Sequence, residues 1–354
     1  MKFVYSNPPI IHWGAGSVTE LAGELDRLGG DHVALVTTRS VLGNADLIER
    51  LRDGLGARSL EATAVVSQHA PLAEVEDAVG RVAESSAQAV VSFGGGSPID
   101  TGKVVAVKVA ERRGGADRAL PHVALPTTLS VAELAAGAGV TDESGNKVGY
   151  RGARLLPDVV IYDAELTLAT PLALWLSTGI RALDHAVEGF LAPGVHPFSD
   201  VMALEAVRRL FRSLPEARDR PDDVGVRTEN QLAAWFSYTL PGPSAAGLSH
   251  MLGKQIGARH GIPHGVTSCL LLPHVMRYLA GRQPERLAEL SRATGSCGGQ
   301  LAAAEDVSNL IRSLHLPQHL AEFGLGPEEL RAAAQAMAGK HSEEDLLAIY
   351  TAAL

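Results

Sequence analysis

The sequence predicts an α/β domain built on a parallel sheet, followed by an all-helical domain. Two observations carry that prediction. Up to about residue 165, short runs rich in β-branched residues alternate with Ala-, Leu- and Glu-rich stretches of helical period. Beyond that point the strand signals vanish and one helical stretch follows another. Strand–helix–strand order implies parallel pairing through right-handed crossovers. The strand runs are continuously apolar rather than alternating, as expected of strands covered on both faces.

Taken in order, strands are expected at 32–38, 62–68, 87–96, 122–128 and 158–166, and helices at 17–29, 45–56, 71–86 and 98–113. The second half reads as helices at 171–192, 196–214, 226–240, 245–261, 267–281 and 284–295, with 215–225 as a solvated loop. The division is 1–163 for a dinucleotide-binding α/β domain and 164–354 for a helical catalytic domain. A chain of 354 residues is comfortable for two cores. With 46% hydrophobic and 20% charged residues, the composition is that of an ordinary soluble enzyme. A net charge of −9 and the lack of a long Lys/Arg run argue against a nucleic-acid partner. No apolar run approaches the roughly 18 residues of a membrane span, and the first residues lack the apolar core of a signal peptide, so a cytoplasmic location is expected. Cys269 and Cys297 lack a CxxC spacing and are expected as buried or partly buried free thiols.

Three stretches carry chemistry. "VVSFGGGSPIDTGK" (90–103) is a strand, a glycine cluster and a helix start. Gly94, Gly95 and Gly96 would form the turn, Ser97 the N-cap and Pro98 the first helical position. Glycines let a backbone approach an anion, and a helix N-terminus offers free N–H groups, so a dinucleotide pyrophosphate fits; the same turn also serves simple chain reversal. Thr127 and Thr128 follow the strand at 122–128, at the end where parallel sheets bind ligands; a turn satisfying its own backbone is the alternative. "STGIRALDHAVEG" (177–189) is a buried helix bearing Arg181, Asp184 and His185. Arg181 and His185 are four apart and share a face, whereas Asp184 and His185 are about 100° apart and do not. Arg181 and Asp184 can also form an i,i+3 ion pair, and His185 alone could be a core histidine.

The order GGGSxxDxxK, PTT…E, "PDVVIYDAELTL", HAxE and H-x13-H ending in "PHG" resembles the iron-containing alcohol dehydrogenase family, from "WGAGSVTEL" to "LLPHV". Within it the chain looks most like maleylacetate reductases, through the opening "FVY", the compact "PTTLSVAE" (126–133) and "RLLPDVVIYDAELTL". The resemblance implies the dehydroquinate synthase-like architecture of that family, a Rossmann-like domain plus a helical one, with NAD(P)-linked carbonyl chemistry in the cleft between them. It implies that Gly95, Gly96, Ser97 and Asp100 hold the pyrophosphate and nicotinamide side. Thr127 and Thr128 would line the nicotinamide or adenine pocket. Lys147 falls on a cofactor-contacting lysine, and Leu166 and Leu168 fall where apolar side chains pack on the cofactor. The place of the ribose-binding Asp of NAD-preferring members is taken by Thr38, followed by Arg39, so NADPH is expected to be accepted alongside or in preference to NADH.

The pattern breaks at the metal site. Metal-dependent members carry Asp-x-x-x-His on the helix and two further His fourteen apart. Here His185, His250 and His264 are present, but the Asp position is Arg181, and a further family His is Lys254. Arg cannot ligate a metal and would repel one, while it restores the charge of an Asp–metal pair. The expectation is a metal-independent reductase of a carbonyl or conjugated keto acid, with a small carboxylated substrate. Arg181 and Lys254 supply positive charge, and His250, His264 or Lys254 donates the proton. Asp184 is expected to point off the ligand face, and Glu188 to support by hydrogen bonding. His260 and His274 read as structural, and His12, His32, His69, His122 and His196 as surface or turn residues. The alternatives are a three-His alcohol dehydrogenase holding Fe or Zn at His185, His250 and His264, a recruited biosynthetic enzyme of non-redox cyclisation or elimination chemistry, and a catalytically dead cofactor-binding regulator. A homodimer is the expected assembly.

Overall fold

The computed structural model describes residues 7–354 except 116, 146, 195, 239–246, 258, 338 and 340; Lys147 has a described backbone, and its side chain lies outside what is described. The chain runs β1 (Ile10–Trp13), α1 (Leu21–Leu28), β2 (His32–Thr37), α2 (Arg39–Leu42), α3 (Ala45–Leu55), β3 (Ser59–Val65), α4 (Leu72–Glu84), β4 (Ala89–Gly94), α5 (Gly96–Arg112), β5 (His122–Pro126), β6 (Gly137–Thr141), β7 (Lys147–Arg151) and β8 (Val159–Tyr162). After these come helices alone: α6 (Leu172–Leu191), α7 (Pro197–Asp219), α8 (Val224–Ser237), α9 (Leu248–Gly257), α10 (His264–Ala280), α11 (Pro284–Thr294), α12 (Ala302–Ser313), α13 (Pro327–Met337) and α14 (Glu343–Ala352). Two compact units result. Of the described residues, one comprises 7–171 with Asp222–Leu232, the other Leu172–Pro221 with Ala233–Leu354.

The first unit is built on a six-stranded parallel sheet in the order β1-β8-β5-β4-β2-β3. Alternate residues of each central strand enter different cores. Val33, Leu35, Val91, Phe93, Val123 and Leu125 pack with α1 and α3, while Ala34, Val36 and Val90 pack with α4 and α5. Two-sided burial is why these strands read as unbroken apolar runs; each large apolar side chain so buried contributes about 1.5–3 kcal/mol. The antiparallel β6–β7 hairpin and the edge strand β1 were not expected. The two strands are only five residues each, with glycine at 137, 139 and 149, so their period-2 signal is short and faint.

Several expectations are corrected here. α5 starts at Gly96 with Gly95 as its N-cap, so Ser97 is inside the first turn; its hydroxyl accepts the His69 N–H at 3.0 Å instead. His122 is buried rather than at the surface. It heads the central strand β5, its Nε2 lies 2.7 Å from Ser92 Oγ, and the room comes from Gly102, where a Cβ would stand 2.9 Å from that nitrogen. α7 continues through Pro215 to Asp219, within the stretch expected to be loop. Its last turn is held by an Arg220–Glu216 pair at 3.1 Å and by Arg218 donating to the Ser313 carbonyl. Cys269 is buried, but Cys297 is exposed.

In the second unit α6 is buried from Trp175 to Leu191, with polar residues among its apolar ones. No described helix is long and apolar enough to cross a membrane.

Candidate active site

In the first unit Gly95, Gly96, Ser97, Thr127 and Thr128 meet at the C-terminal ends of β4 and β5. Gly94 leaves β4 at φ +140°, and α5 begins with no side-chain cap on its first turn. A Cβ on Gly95 would stand 3.1 Å from Thr128 Cγ2, so the two turns touch. Thr127 and Thr128 are buried; the Thr127 carbonyl accepts from Thr170 Oγ1 at 2.8 Å, and Thr128 Oγ1 donates to Ser130 Oγ at 3.2 Å. Asp100 is already engaged, accepting the Gly139 N–H at 2.9 Å and Lys103 Nζ at 3.2 Å. Thr38 caps α2, and Arg39 beside it is exposed. Leu166 sits in the sheet's apolar core, while Leu168 is half-buried. Lys147 lies on β7, its side chain outside the described residues.

In the second unit α6, α9 and α10 assemble a buried polar cluster. Gly265 lets α10 lie directly on the α6 backbone: a Cβ there would be 2.7 Å from the Ser177 carbonyl. That contact brings Ser268 to Asp184. Asp184 Oδ2 accepts from Ser268 Oγ at 2.6 Å and Ser249 Oγ at 3.0 Å. Arg181 Nη1 donates to Ser268 Oγ at 3.2 Å and lies 3.6 Å from Asp184 Oδ2. Glu188 caps the start of α9 from a neighbouring helix: Oε2 accepts the Gly247 N–H at 2.8 Å and Oε1 the His250 N–H at 3.1 Å. Gly247 must be glycine for this, since a Cβ would fall 2.5 Å from Glu188 Cδ.

His250 is the meeting point. Its Nδ1 lies 3.0 Å from Glu188 Oε2 and 3.7 Å from Asp184 Oδ2, off the line of a hydrogen bond. The His185 ring stands 4.4 Å from the His250 ring and 5.0 Å, edge-on, from Tyr238. The expectation that Asp184 points away from this face is therefore corrected. Residues from two faces of α6 both reach His250, because α9 supplies His250 from a second helix. The ion pair between Arg181 and Asp184 is present. Lys254 is exposed on α9 and His264 half-buried at the start of α10.

Burial sets the protonation states. It pushes His185 well below the ordinary imidazole range, helped by His250 and Arg181, and His250 likewise, helped by Arg181 and Lys254. It raises Asp184, with Glu188 adding repulsion and Arg181 opposing. It raises Glu188 too, against the α9 N–H groups and Arg181. Asp184, Glu188 and His250 form a group whose potential ligand atoms lie within 4.8 Å of one another; among the described residues His185 and His264 do not belong to such a group. Asp184, Ser249 and Ser268 were not anticipated as members of the site. Ser268 lies four residues beyond His264 on α10, so helical spacing from the "PHG" histidine is the signal that could have found it.

Comparison with known proteins agrees with this architecture. The iron-containing alcohol dehydrogenase profile matches residues 8–164, and the C-terminal profile of the Fe-containing alcohol dehydrogenase family matches 175–352. The chain belongs to the iron-containing alcohol dehydrogenase family and is an oxidoreductase. It is 32% identical to a maleylacetate reductase of Rhizobium sp. (strain MTP-10005) over 334 residues, 94% of this chain and 90% of that one. It is also 32% identical to one of Sphingobium indicum, over 96% and 92% of the two chains. Solved structures of the same fold include maleylacetate reductase from Agrobacterium tumefaciens, at TM-score 0.86 and 31% identity over 100% of this chain and 98% of that one. A 1,3-propanediol oxidoreductase aligns at TM-score 0.92 and 26% identity, over 100% of each chain.

Proposed function

We propose that the chain is an NAD(P)H-dependent reductase of a carboxylated carbonyl compound or conjugated keto acid, of the maleylacetate type, that works without a divalent metal. The observation that carries this reading is the buried Arg181, a permanent cation 3.6 Å from Asp184 in the polar cluster. The donor set does not fit an ion. Glu188 already spends both oxygens on the α9 backbone, and Asp184 Oδ2 on two serines beside Arg181, which leaves of the Asp184–Glu188–His250 group Asp184 Oδ1 and His250 Nδ1 without a hydrogen-bond partner among the described residues. A dication would add charge where a guanidinium already sits.

The dinucleotide fits the first unit. The uncapped N–H groups that start the 17-residue α5 suit a pyrophosphate. Gly95, Gly96, Ser97, Thr127 and Thr128 surround that turn, and the exposed Arg39 suits a 2′-phosphate, which favours NADPH. NAD(P)H supplies the hydride when bound. The second unit supplies the rest. Arg181 and Lys254 offer positive charge to a substrate carboxylate and to the oxyanion that develops as hydride adds. His250 is the proton donor the geometry supports best: it gives up a proton from Nε2, while Nδ1 takes one from the Glu188 carboxyl 3.0 Å away, whose raised pKa favours holding it beforehand. In a conjugated keto acid the hydride reduces the C=C bond and that proton completes the new C–H bond.

The proximity of Asp184, Glu188 and His250 favours a second reading, a metal-dependent alcohol dehydrogenase. Metal analysis with chelation separates the two, combined with Arg181→Ala. The expected result is no stoichiometric metal, activity indifferent to chelator, and a loss of about 10²–10³-fold in kcat for Arg181→Ala with NADPH binding unchanged. One tightly bound metal per chain, with activity lost on its removal, would establish the second reading instead.

A further inference from the structure

We propose that a cleft on the first unit, lined by α5 and the turn after β7, binds a small carboxylic acid with a flat apolar body, at a place distinct from the cluster on α6, α9 and α10. The cleft has a volume of about 300 Å³. Its floor includes Val104 and Tyr150, and its wall carries Lys108, Arg151 and Arg154 against a single acid, Glu111. That is a net charge of +2 around one small cavity, in a chain whose net charge is −9. Local charge of the opposite sign to the whole molecule concentrates anions there.

The guanidinium of Arg154 gives the chemistry its shape. Nη1 donates to Glu111 at 3.1 Å. Nε and Nη2 are buried and have no hydrogen-bond partner among the described residues. Those two nitrogens form the edge whose parallel N–H bonds match the two oxygens of a carboxylate. Buried donors left unpaired are costly, and an arriving carboxylate would satisfy them. Arg154 stands on the one-turn helix Ala153–Leu155, its side chain is 34% exposed, and it lines the cleft. Gly152, at φ +147°, makes the turn that places Arg151 and Arg154 on the same mouth. Lys108 Nζ stands over the Tyr150 ring, 5.9 Å from its centroid, and 3.4 Å from Glu111 Oε2. An apolar floor beneath a cationic rim selects a carboxylate carried on a flat body over a hydrated inorganic anion.

Benzoate is the probe, titrated into the full chain and read from isotope-labelled valine methyl signals, with benzyl alcohol as the neutral control. The expected result is a saturable shift at Val104 with benzoate alone. Arg154→Gln should weaken it about tenfold. Glu111→Gln, which removes the competing acid, should tighten it several-fold, an effect that damage to the fold would not produce. Arg181→Ala should leave it unchanged. The proposal is overturned by the absence of a saturable shift at Val104, by benzyl alcohol binding equally well, by indifference to Arg154→Gln, by weakening in Glu111→Gln, or by loss of the shift in Arg181→Ala, which would assign the probe to the polar cluster.

Discussion

Each unit buries a charged cluster, and the two are finished differently. In the first, Lys103 is fully buried, and its ammonium donates to the carbonyls of Ala132, Ala135 (3.0 Å) and Gly137 (2.8 Å) and to Asp100 at 3.2 Å. Every donor of that ammonium has an acceptor. In the second, Arg181, Asp184, Glu188 and His250 share one site, yet Asp184 Oδ1 and His250 Nδ1 have no hydrogen-bond partner among the described residues. A satisfied buried charge fixes structure; one left partly unsatisfied is costly to keep and marks a place where a proton or ligand is to be exchanged. The lysine clamps a loop, whereas the α6 cluster is the one proposed to perform chemistry.

Lys103→Met is the strongest way to break that contrast. It removes the ammonium and leaves the Ala135 and Gly137 carbonyls and Asp100 without that donor, while the Ala132 carbonyl keeps the Ala135 N–H, so the expected loss is about 3–5 kcal/mol of stability, read from the denaturant midpoint at constant slope. A loss below about 1 kcal/mol would show that the clamp is dispensable and that satisfaction of hydrogen bonds does not separate the clusters.

His122 sharpens the comparison, because it too has an orphaned nitrogen, Nδ1, but in the first unit. Burial, helped by the Lys103 charge, lowers its pKa to about 3. The unfolded chain takes up a proton near pH 6.5 that the native chain refuses. The stability His122 contributes is thus complete above that pH and is lost as pH falls from about 6.5 toward 3, by about 3 kcal/mol at pH 4. His122→Gln should flatten the acid limb of the stability profile by that amount and leave kcat at neutral pH unaltered. An unchanged acid limb would mean that the ring is protonated or hydrated in the native state.

What the sequence disclosed follows the same division. The parallel sheet was legible because two-sided burial leaves unbroken runs such as "AVVSFG" (89–94). The α5 turn was legible to within two residues, the error coming from Ser97, whose hydroxyl serves His69 rather than its own helix. The β6–β7 hairpin was hidden by glycine and polar residues in short strands. At the site, helical periodicity put Arg181 and His185 on one face, but one helix's periodicity says nothing of a second helix crossing it. Asp184 was set aside for that reason, although Ser249 and Ser268, from α9 and α10, both donate to it. His122 was misread because an isolated histidine at a strand start gives no hint of the space that Gly102 opens for it.

The smallest expected effect tests whether the α6 cluster exchanges protons or only holds helices together. Glu188 fixes His250 through its backbone N–H at 3.1 Å and stands 3.0 Å from Nδ1. Glu188→Gln preserves the shape but offers one acceptor where two are used, and it cannot ionise. Burial raises the Glu188 pKa from the usual carboxylate range to about 7, so its ionisation falls near neutral pH. If the carboxyl returns a proton to His250, the variant should lose about 10- to 100-fold in kcat, with NADPH affinity intact, and its kcat profile should lack that ionisation. A purely structural cap predicts something else: lower thermal stability, but an unaltered pH profile and near-normal kcat in the molecules that remain folded. The shape of the pH profile decides between them, because loss of packing cannot remove a single ionisation.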